Sequence, residues 1–254
     1  MMTNKWQIYD ELIEGIPQDI IVTDLLASTS WTMVENERGI GIGLTVRQRA
    51  GSQIAPVPIT GAPLRDIAAL VKSWYMIEAS IGMAAINSWY NRPERTRAMG
   101  LVPENEADRK KNDAVATLME EMPGKKVCVI GHFPEIEKRI AGICDLSILE
   151  REPNKGDYPD SACEYILEDQ DIVLITGMTL INKTLPRLLE LIRTDATVCM
   201  LGPSVPLSDT LAKYGVNRLS GYTATDTALV KEAVKRGVKQ EIFRYGYMCD
   251  YAIG

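Results

Sequence analysis

The chain contains a single histidine, His132, and its position is the first indication of chemistry. It directly follows Gly131, the turn glycine at the end of the apolar run 127–130. An imidazole titrates near neutral pH and is a common metal ligand, so a histidine at such a turn is a candidate acid, base or ligand. One histidine cannot by itself form a zinc site. The residues that would have to converge on it are Glu78, Glu150, Asp157 or Cys163.

Glu78 is the second candidate for a site residue, because it lies within an apolar pattern. Residues 63–91 carry apolar side chains at helical spacing, and Glu78 falls in the middle of that arc. An unpaired buried carboxylate is costly, so it must find a partner, bind a metal or stay protonated. Gly82, one turn further on, leaves room beside it. A structural ion pair, or an edge position that reaches water, explains the pattern equally simply.

The first part of the chain predicts a short helix at 6–15, strands within 20–45 and the long helix at 63–91. Glycines alternate along one of these strands, at Gly39, Gly41 and Gly43. This spacing removes the side chains from one face of the strand, which favours either close packing against another backbone or the approach of a ligand. The segment from Gly51 to Pro63 contains three prolines, Pro63 included, and predicts a loop that could cover a cleft.

From residue 125 onward the pattern alternates strand and helix. Continuously apolar runs predict strands at 127–130, 146–149, 172–176, 198–201 and 216–221. Helices are predicted between and after them at 134–143, 182–192, 208–214 and 225–236. This alternation is typical of a Rossmann-like parallel α/β sheet. A change to dense charge near residue 95 predicts two domains, 1–95 and 96–254.

Three predicted strands end in glycine followed by polar or otherwise distinctive residues. In a parallel α/β sheet the ligand crevice lies beyond these ends, near the change in strand order. Such loops expose backbone N–H groups, which suit an anionic group. The segments are Gly131–His132–Phe133–Pro134, Thr176–Gly177–Met178–Thr179 with Asn182, and Gly202–Pro203–Ser204.

The first of these loops differs from a dinucleotide-binding fingerprint, because it has one glycine where GxGxxG needs three. Glu150 does stand 19 positions after Gly131 (150 − 131), where a ribose-binding acid would lie. Asp157, in the turn that follows, could edge the same crevice or simply belong to a β-turn. The glycine pattern argues against a nicotinamide cofactor.

Composition sets outer bounds on the function. The 254 residues are 46% hydrophobic with a net charge of −6, and no basic cluster is interleaved with aromatics, so neither nucleic acid nor a membrane surface is an expected partner. The five cysteines form no CxxC pair, and Cys128 and Cys199 lie in apolar runs that predict buried, reduced thiols. A signal-peptide core and an apolar span of about 18 residues are both lacking, which predicts a cytoplasmic protein.

Several segments together resemble the heavy-metal-chelation family, long known as a domain of unknown function. They are VCVIGHFPEIEK, CDLSILE, GDYP, DIVLITGMTLINKTLPRLLEL and MLGPSVPLSDTLAKYG. In the first half, GIGIGL and KSWYMIEASIGMAAINSWYN resemble the enolase-N-terminal-like domain that precedes it. The resemblance implies a small α+β enolase-N-terminal-like domain followed by a Rossmann-like parallel-sheet domain. It also implies a role in metal chelation or cobalamin-related metabolism.

The resemblance further implies a site in the crevice between the two domains, with His132 and Glu78 as catalytic or metal-binding residues. The implied ligand-binding residues are Gly41, Gly43, Asn87, Gly131, Glu150, Asp157, Thr176, Thr179, Asn182 and Ser204. Asn87 fits least well, because nine residues at about 100° each place it opposite Glu78 on a straight helix.

The sequence is compatible with three functional hypotheses. The preferred one is a cytoplasmic protein, with or without enzymatic activity, that binds a metal ion or another small-molecule or metal-chelate ligand between its two domains. Carboxylate, imidazole and thiol ligands suit a divalent transition metal. The second is a nucleotide-dependent methyltransferase or oxidoreductase in which Glu150 holds a ribose. The third is a non-catalytic carrier or interaction module. The sequence leaves homo-oligomerisation, the metal and the reaction open.

Overall fold

A computed structural model describes residues 4–48, 50–103 and 113–253, which form two β-sheets around a shared core. The predicted fold class is confirmed: a small antiparallel sheet with helices is followed by a large, mostly parallel sheet. Within the described residues, no helix has the length and apolar character needed to cross a membrane.

The first module contains a three-stranded antiparallel sheet in the order β1-β2-β3. Its strands are β1 (Val22–Ala27), β2 (Trp31–Asn36) and β3 (Gly39–Leu44), and its helices are α1 (Gln7–Glu14), α2 (Leu64–Ala68), α3 (Met76–Tyr90) and α4 (Pro93–Ala98). A 3₁₀ turn, Ala69–Lys72, extends α2.

The single helix predicted over 63–91 is interrupted between this 3₁₀ turn and α3. Ser73 and Tyr75 have extended backbones, with ψ of 139° and 102°. The Ser73 hydroxyl accepts a hydrogen bond from the Tyr75 N–H at 3.1 Å. Serine side chains that bond to nearby backbone groups compete with helical hydrogen bonds, which explains the break.

The alternating glycines of β3 are explained by close packing against α3. A Cβ atom at Gly41 would overlap the backbone of Ser88 and Ala84, and one at Gly43 would lie 2.9 Å from the Ser80 carbonyl oxygen. Helix α3 itself is buried on nearly every side, as expected for a helix enclosed by other elements. Of the two interpretations that the sequence left open, the structure shows backbone packing.

The second module contains a seven-stranded sheet in the order β10-β9-β8-β7-β4-β5-β6, parallel except for β10. Its strands are β4 (Lys126–Ile130), β5 (Asp145–Glu150), β6 (Tyr158–Pro159), β7 (Ile172–Thr176), β8 (Thr197–Leu201), β9 (Arg218–Ala224) and β10 (Gly246–Ala252). Five of the seven were predicted, whereas β6 and β10 were not. Strand order reverses at β4, which has β5 on one side and β7 on the other. This is the position at which parallel sheets bind ligands.

The helices of the second module are short. They are α5 (Ala114–Met119), α6 (Pro134–Ile140), α7 (Cys163–Ile166), α8 (Met178–Ile181), α9 (Leu185–Leu191) and α10 (Thr227–Arg236), with 3₁₀ turns at Asp160–Ala162, Leu167–Asp169, Asp209–Tyr214 and Glu241–Arg244. The helix predicted at 208–214 is therefore 3₁₀. Ser208 caps it, and it ends at Gly215 with φ of 86°.

One buried apolar cluster runs through both modules, joining residues such as Ile8 and Ile86 to Ile175 and Val205. The predicted domain boundary at residue 95 lies inside α4 and stays a prediction. Much of the charged stretch that motivated it, residues 104–112, lies outside the described residues.

All five cysteines are free. The predicted burial of Cys128 and Cys199 is confirmed, and burial raises the pKa of Cys128 to about 12. Neither thiol is therefore disposed to ionise near neutral pH.

The contact between β3 and α3 can be tested by adding one methyl group. We expect Gly41→Ala to destabilise the protein by about 3 kcal/mol, because the added Cβ would overlap backbone atoms of α3 and force strand and helix apart. Gly39→Ala in the same strand is the control. Its added Cβ would lie 3.2 Å from the Arg92 side chain, so we expect a loss below about 1 kcal/mol. Urea unfolding of both variants measures the difference, and equal losses would contradict the packing explanation.

Candidate ligand-binding site

A cavity of about 1120 Å³ lies at the carboxyl ends of β4, β7 and β8. All three predicted strand-end loops line it, through Gly131 and His132, Thr176 to Thr179, and Gly202 to Ser204. The first module adds Trp31 and Leu44 to the wall. The chain has two phenylalanines, Phe133 and Phe243, and both lie in this lining. The cavity therefore combines polar strand ends with large apolar side chains, as small-molecule sites commonly do.

The glycines of these loops are needed for the backbone conformation. Gly131 and Gly202 have φ of 97° and 112°, and a Cβ at Gly177 would lie 2.8 Å from the Val205 nitrogen. Their N–H groups, however, bond to the neighbouring strands. Gly131, Gly177 and Gly202 donate to the carbonyls of Leu149, Leu201 and Ser220 at 2.9, 2.9 and 3.0 Å. The sequence predicted that N–H groups of these loops would be free to bind an anionic group, but those of these three glycines are not.

His132 lies on the cavity wall with its side chain one-third exposed. Its Nδ1 is 3.2 Å from Glu137 Oε1 and 3.8 Å from Asp157 Oδ2. Its Nε2 is 3.2 Å from the Asn154 amide nitrogen. Both carboxyl groups are largely buried, and the Glu137 oxygen also accepts the Phe133 N–H at 2.7 Å. The imidazole is thus held by acids behind it and by an amide in front of it.

The structure does not bring Glu78 to this cavity. Its carboxyl group is buried and accepts hydrogen bonds from the backbone N–H groups of Ile54 and Ala55, both at 2.9 Å. The Ser73 hydroxyl donates to the second oxygen at 2.6 Å. The partner that a buried carboxylate requires is therefore the proline-rich loop 51–58, which Glu78 fastens to the start of α3. The expected pairing of Glu78 with His132 across a crevice is not found.

The other residues implied by the resemblance divide into two groups. Those that line the cavity are Gly131, Glu150, Thr176, Thr179, Asn182 and Ser204, whereas Gly41, Gly43, Asn87 and Asp157 lie outside the lining. Gly41 and Gly43 face α3. Asn87 donates to the Ile42 and Pro203 carbonyls at 2.7 and 3.2 Å, so it ties the first module to a strand-end loop.

Several polar side chains that line the cavity bond within their own turns. Thr179 donates to the Thr176 carbonyl at 2.8 Å, and Asn182 Oδ1 accepts from the Thr184 hydroxyl at 2.7 Å. Glu150 Oε1 accepts from the Arg151 N–H at 2.6 Å, so the acid expected to hold a ribose shapes its own turn. A ligand that bonded to these groups would compete with existing hydrogen bonds.

Lys183 is a cavity residue that the sequence did not single out. Its backbone is left-handed, with φ of 66°, which is uncommon for a residue other than glycine. Its ammonium group donates to the carbonyls of Ser73 and Ile181 and lies 5.4 Å from the centre of the Trp74 ring. Burial lowers the pKa of Lys183 to about 8. No sequence pattern marks a lysine for this conformation, so the only available signal was its position beside Asn182.

The described residues contain no group of three or more His, Cys, Asp or Glu side chains arranged to hold a metal ion. Cys163 lines the cavity, but burial raises the pKa of its thiol, which disfavours the thiolate that binds metals. Metal sites built from protein alone use three or four such ligands. The donor set around His132 therefore does not fit a resident metal ion held only by this chain.

The chain matches two protein-family models. Residues 113–253 match the DUF364 model and residues 9–90 match the DUF4213 model, and both models are described as "Putative heavy-metal chelation". The chain belongs to this family. The resemblance inferred from its motifs is thereby confirmed.

Two solved structures of this family share the fold. A DUF364 protein of unknown function from Desulfitobacterium hafniense DCB-2 is 39% identical, with a TM-score of 0.89, and the match covers 99% of this chain and 100% of that one. A second, from Pyrococcus horikoshii, is 19% identical with a TM-score of 0.78, covering 98% and 99%. A search of curated proteins gave no match.

The environment of Lys183 predicts unusual reactivity toward acylating reagents. With a pKa of about 8, half of its amine is neutral at that pH, whereas an ordinary lysine with a pKa of about 10.4 is less than about 1% neutral. Competitive labelling with acetic anhydride across a pH series, read by mass spectrometry, should give a midpoint near pH 8 for the Lys183 peptide. The other lysine peptides in the same digest are the reference, and a midpoint near that of ordinary lysine would refute the effect of burial.

The loop-fastening role of Glu78 predicts a stability effect. Glu78→Ala leaves two backbone N–H groups and the Ser73 hydroxyl without their acceptor, so we expect a loss of about 3 kcal/mol and rapid proteolysis within 51–58. Asp66→Ala, at an exposed acid on α2, should change stability by less than about 0.5 kcal/mol. Urea unfolding and limited proteolysis measure both. A Glu78→Ala protein that keeps its stability but loses bound metal would return Glu78 to the role of ligand.

Proposed function

We propose that this protein binds a metal ion that is already held by a small organic chelator, and that His132 supplies one further ligand to that metal. The proposal rests on one observation: the cavity is much larger than a metal ion, and the described residues around it offer too few ligands to hold one. The cavity has a volume of about 1120 Å³, yet its wall offers one imidazole and no cluster of metal ligands among the described residues. A bare ion would need more donors and far less space.

The chelator resolves both parts of this mismatch. It fills the cavity, and it supplies the coordination bonds that the chain lacks. The metal is therefore cargo or substrate, and the chain contributes the binding surface. Membership of a family named for heavy-metal chelation supports a metal-related ligand.

The chemistry of the wall supports an organic ligand. Phe133 and Phe243 offer apolar surface that is still partly exposed, and burying it against a ligand is favourable at about 25 cal/mol per Å². Many polar groups of the strand-end loops are already hydrogen-bonded within the fold. Recognition of this kind depends mainly on shape and on the one imidazole, since these strand-end groups already have hydrogen-bond partners within the fold.

The first test is elemental analysis of untagged protein purified without chelators, followed by titration with defined probes. These are Ni²⁺ alone, Ni²⁺ complexed with nitrilotriacetate, and cobinamide, a large cobalt chelate with an open axial position. We expect a complexed metal to bind more tightly than Ni²⁺ alone. His132→Ala should weaken that binding about tenfold or more, because one coordination bond is lost.

Tyr165→Ala, which alters a well-exposed side chain away from the lining, is the matched control and should bind like the unmodified protein. Calorimetry gives the affinities, and the visible spectrum of cobinamide reports axial ligation directly. Equal binding by His132→Ala, or tighter binding of the bare ion than of every complex, would overturn the proposal.

A further inference from the structure

The two nitrogens of His132 meet groups of opposite hydrogen-bonding character. Nδ1 faces two carboxyl groups, Glu137 at 3.2 Å and Asp157 at 3.8 Å. Nε2 faces the amide of Asn154 at 3.2 Å. An ionised carboxylate can only accept a hydrogen bond, whereas a neutral imidazole has one donor and one acceptor nitrogen. The proton of the neutral ring therefore lies on Nδ1, and Nε2 carries the lone pair.

The acid nearest to the ring is itself held in place. Glu137 lies in the first turn of α6, and its Oε1 accepts the Phe133 N–H at 2.7 Å as well as facing the imidazole. Its side chain is only 13% exposed. A carboxyl group fixed by its own helix start cannot follow the ring as the ring rotates, so it selects one orientation and one tautomer.

The amide in front of the ring belongs to a much more exposed segment. Residues 151–156 are all exposed. Asn154 is joined to the site by its N–H, which donates to Asp157 Oδ2 at 2.8 Å, and by its side chain, which donates to Nε2. The lone pair that would bind a metal is thus occupied by a surface side chain that can leave without disturbing the core.

We propose that Glu137 is a positioning residue that commits His132 to the Nδ1–H tautomer, and that Asn154 is a displaceable cap on Nε2. The inference rests on the proposed function for the identity of the incoming ligand, a metal chelate with one open coordination position. That ligand binds Nε2 and must displace the Asn154 amide to reach it. The cap therefore weakens binding and restricts the site to ligands that bond nitrogen more strongly than an amide does.

The tautomer can be measured in the ligand-free protein, because a single histidine gives a single imidazole in the spectrum of ¹⁵N-histidine-labelled protein. Long-range ¹H–¹⁵N correlation in alkaline buffer, in which free imidazole is neutral, should show Nδ1 protonated and Nε2 bare. Glu137→Leu removes the oxygen that faces Nδ1 and leaves only the more distant Asp157 carboxylate, so the share of the Nε2–H form should rise. Glu137→Asp, which keeps a carboxylate, should restore the Nδ1–H form at least in part.

Glu135→Gln is the control for these variants. Glu135 is an exposed acid in the same first turn that pairs with Lys138 at 3.0 Å, so this change should leave the tautomer unaltered. A purely structural role of Glu137 would alter stability without changing which nitrogen carries the proton. An Nε2–H form in the unmodified protein would overturn the positioning role.

The cap has its own readouts. Asn154→Ala should move the Nε2 resonance to higher frequency in the ligand-free protein, because a hydrogen bond to the lone pair is lost. It should also strengthen binding of Ni²⁺–nitrilotriacetate about threefold to tenfold, since that hydrogen bond no longer has to be broken. Lys155→Ala, at the adjacent exposed position, should do neither. An unmoved resonance, or unchanged affinity for a chelate that binds through His132, would refute the cap.

Failure of the proposed function would be distinguishable from failure of this inference. If no chelate binds to any variant, the function is wrong, while the tautomer and the Nε2 resonance still decide the roles of Glu137 and Asn154. If a chelate binds through His132 but the tautomer is Nε2–H, the function stands and the inference falls.

Discussion

The structure depends on the close approach of helix α3 to strand β3, which is possible because Gly41 and Gly43 have no side chains. The same helix carries Asn87 and is followed at its end by Asn91, and the amides of both residues bond to the backbone of the segment 203–207 in the second module. One helix therefore packs against the first sheet and holds the loop that follows β8 in the second. Trp31 of β2 and Leu44 of β3 thereby reach the cavity wall. This part of the wall depends on the close packing of β3 against α3.

The parallel sheet was predictable because its strands are continuously apolar and alternate with helical segments, and both patterns can be recognised in the local sequence. Strand β10 was missed because Gly246 to Ala252 mixes buried and exposed residues without regular alternation. The two-residue strand β6 is too short to leave a pattern. The break at Ser73 was missed because the apolar spacing of 63–91 continues through it, and a local serine hydrogen bond outweighs that spacing.

The candidate site was predicted unevenly for a related reason. The positions of His132 and the strand-end loops were predictable, because ligand sites in parallel sheets lie beyond the carboxyl ends of the strands. The order of strands and helices in the sequence is enough to locate those ends. The role of Glu78 could not be predicted in this way, because its partners are the backbone N–H groups of Ile54 and Ala55, more than twenty positions away. Every residue except proline has such a group, so the types of the loop residues do not reveal the contact. Lys183 and Asn154 depend on backbone conformation and on contacts between loops, and neither is encoded in residue type or spacing.

The apolar cluster shared by the two modules also limits how a ligand can enter. Side chains such as Ile8 and Ile86 of the first module and Ile175 of the second are buried in the same continuous interior. Swinging one half away from the other would expose that interior to water, and the penalty would grow with every apolar side chain uncovered. A ligand therefore has to enter past the cavity rim, to which the exposed residues Arg151, Glu152 and Asn154 belong, while the shared interior of the two modules stays closed to water.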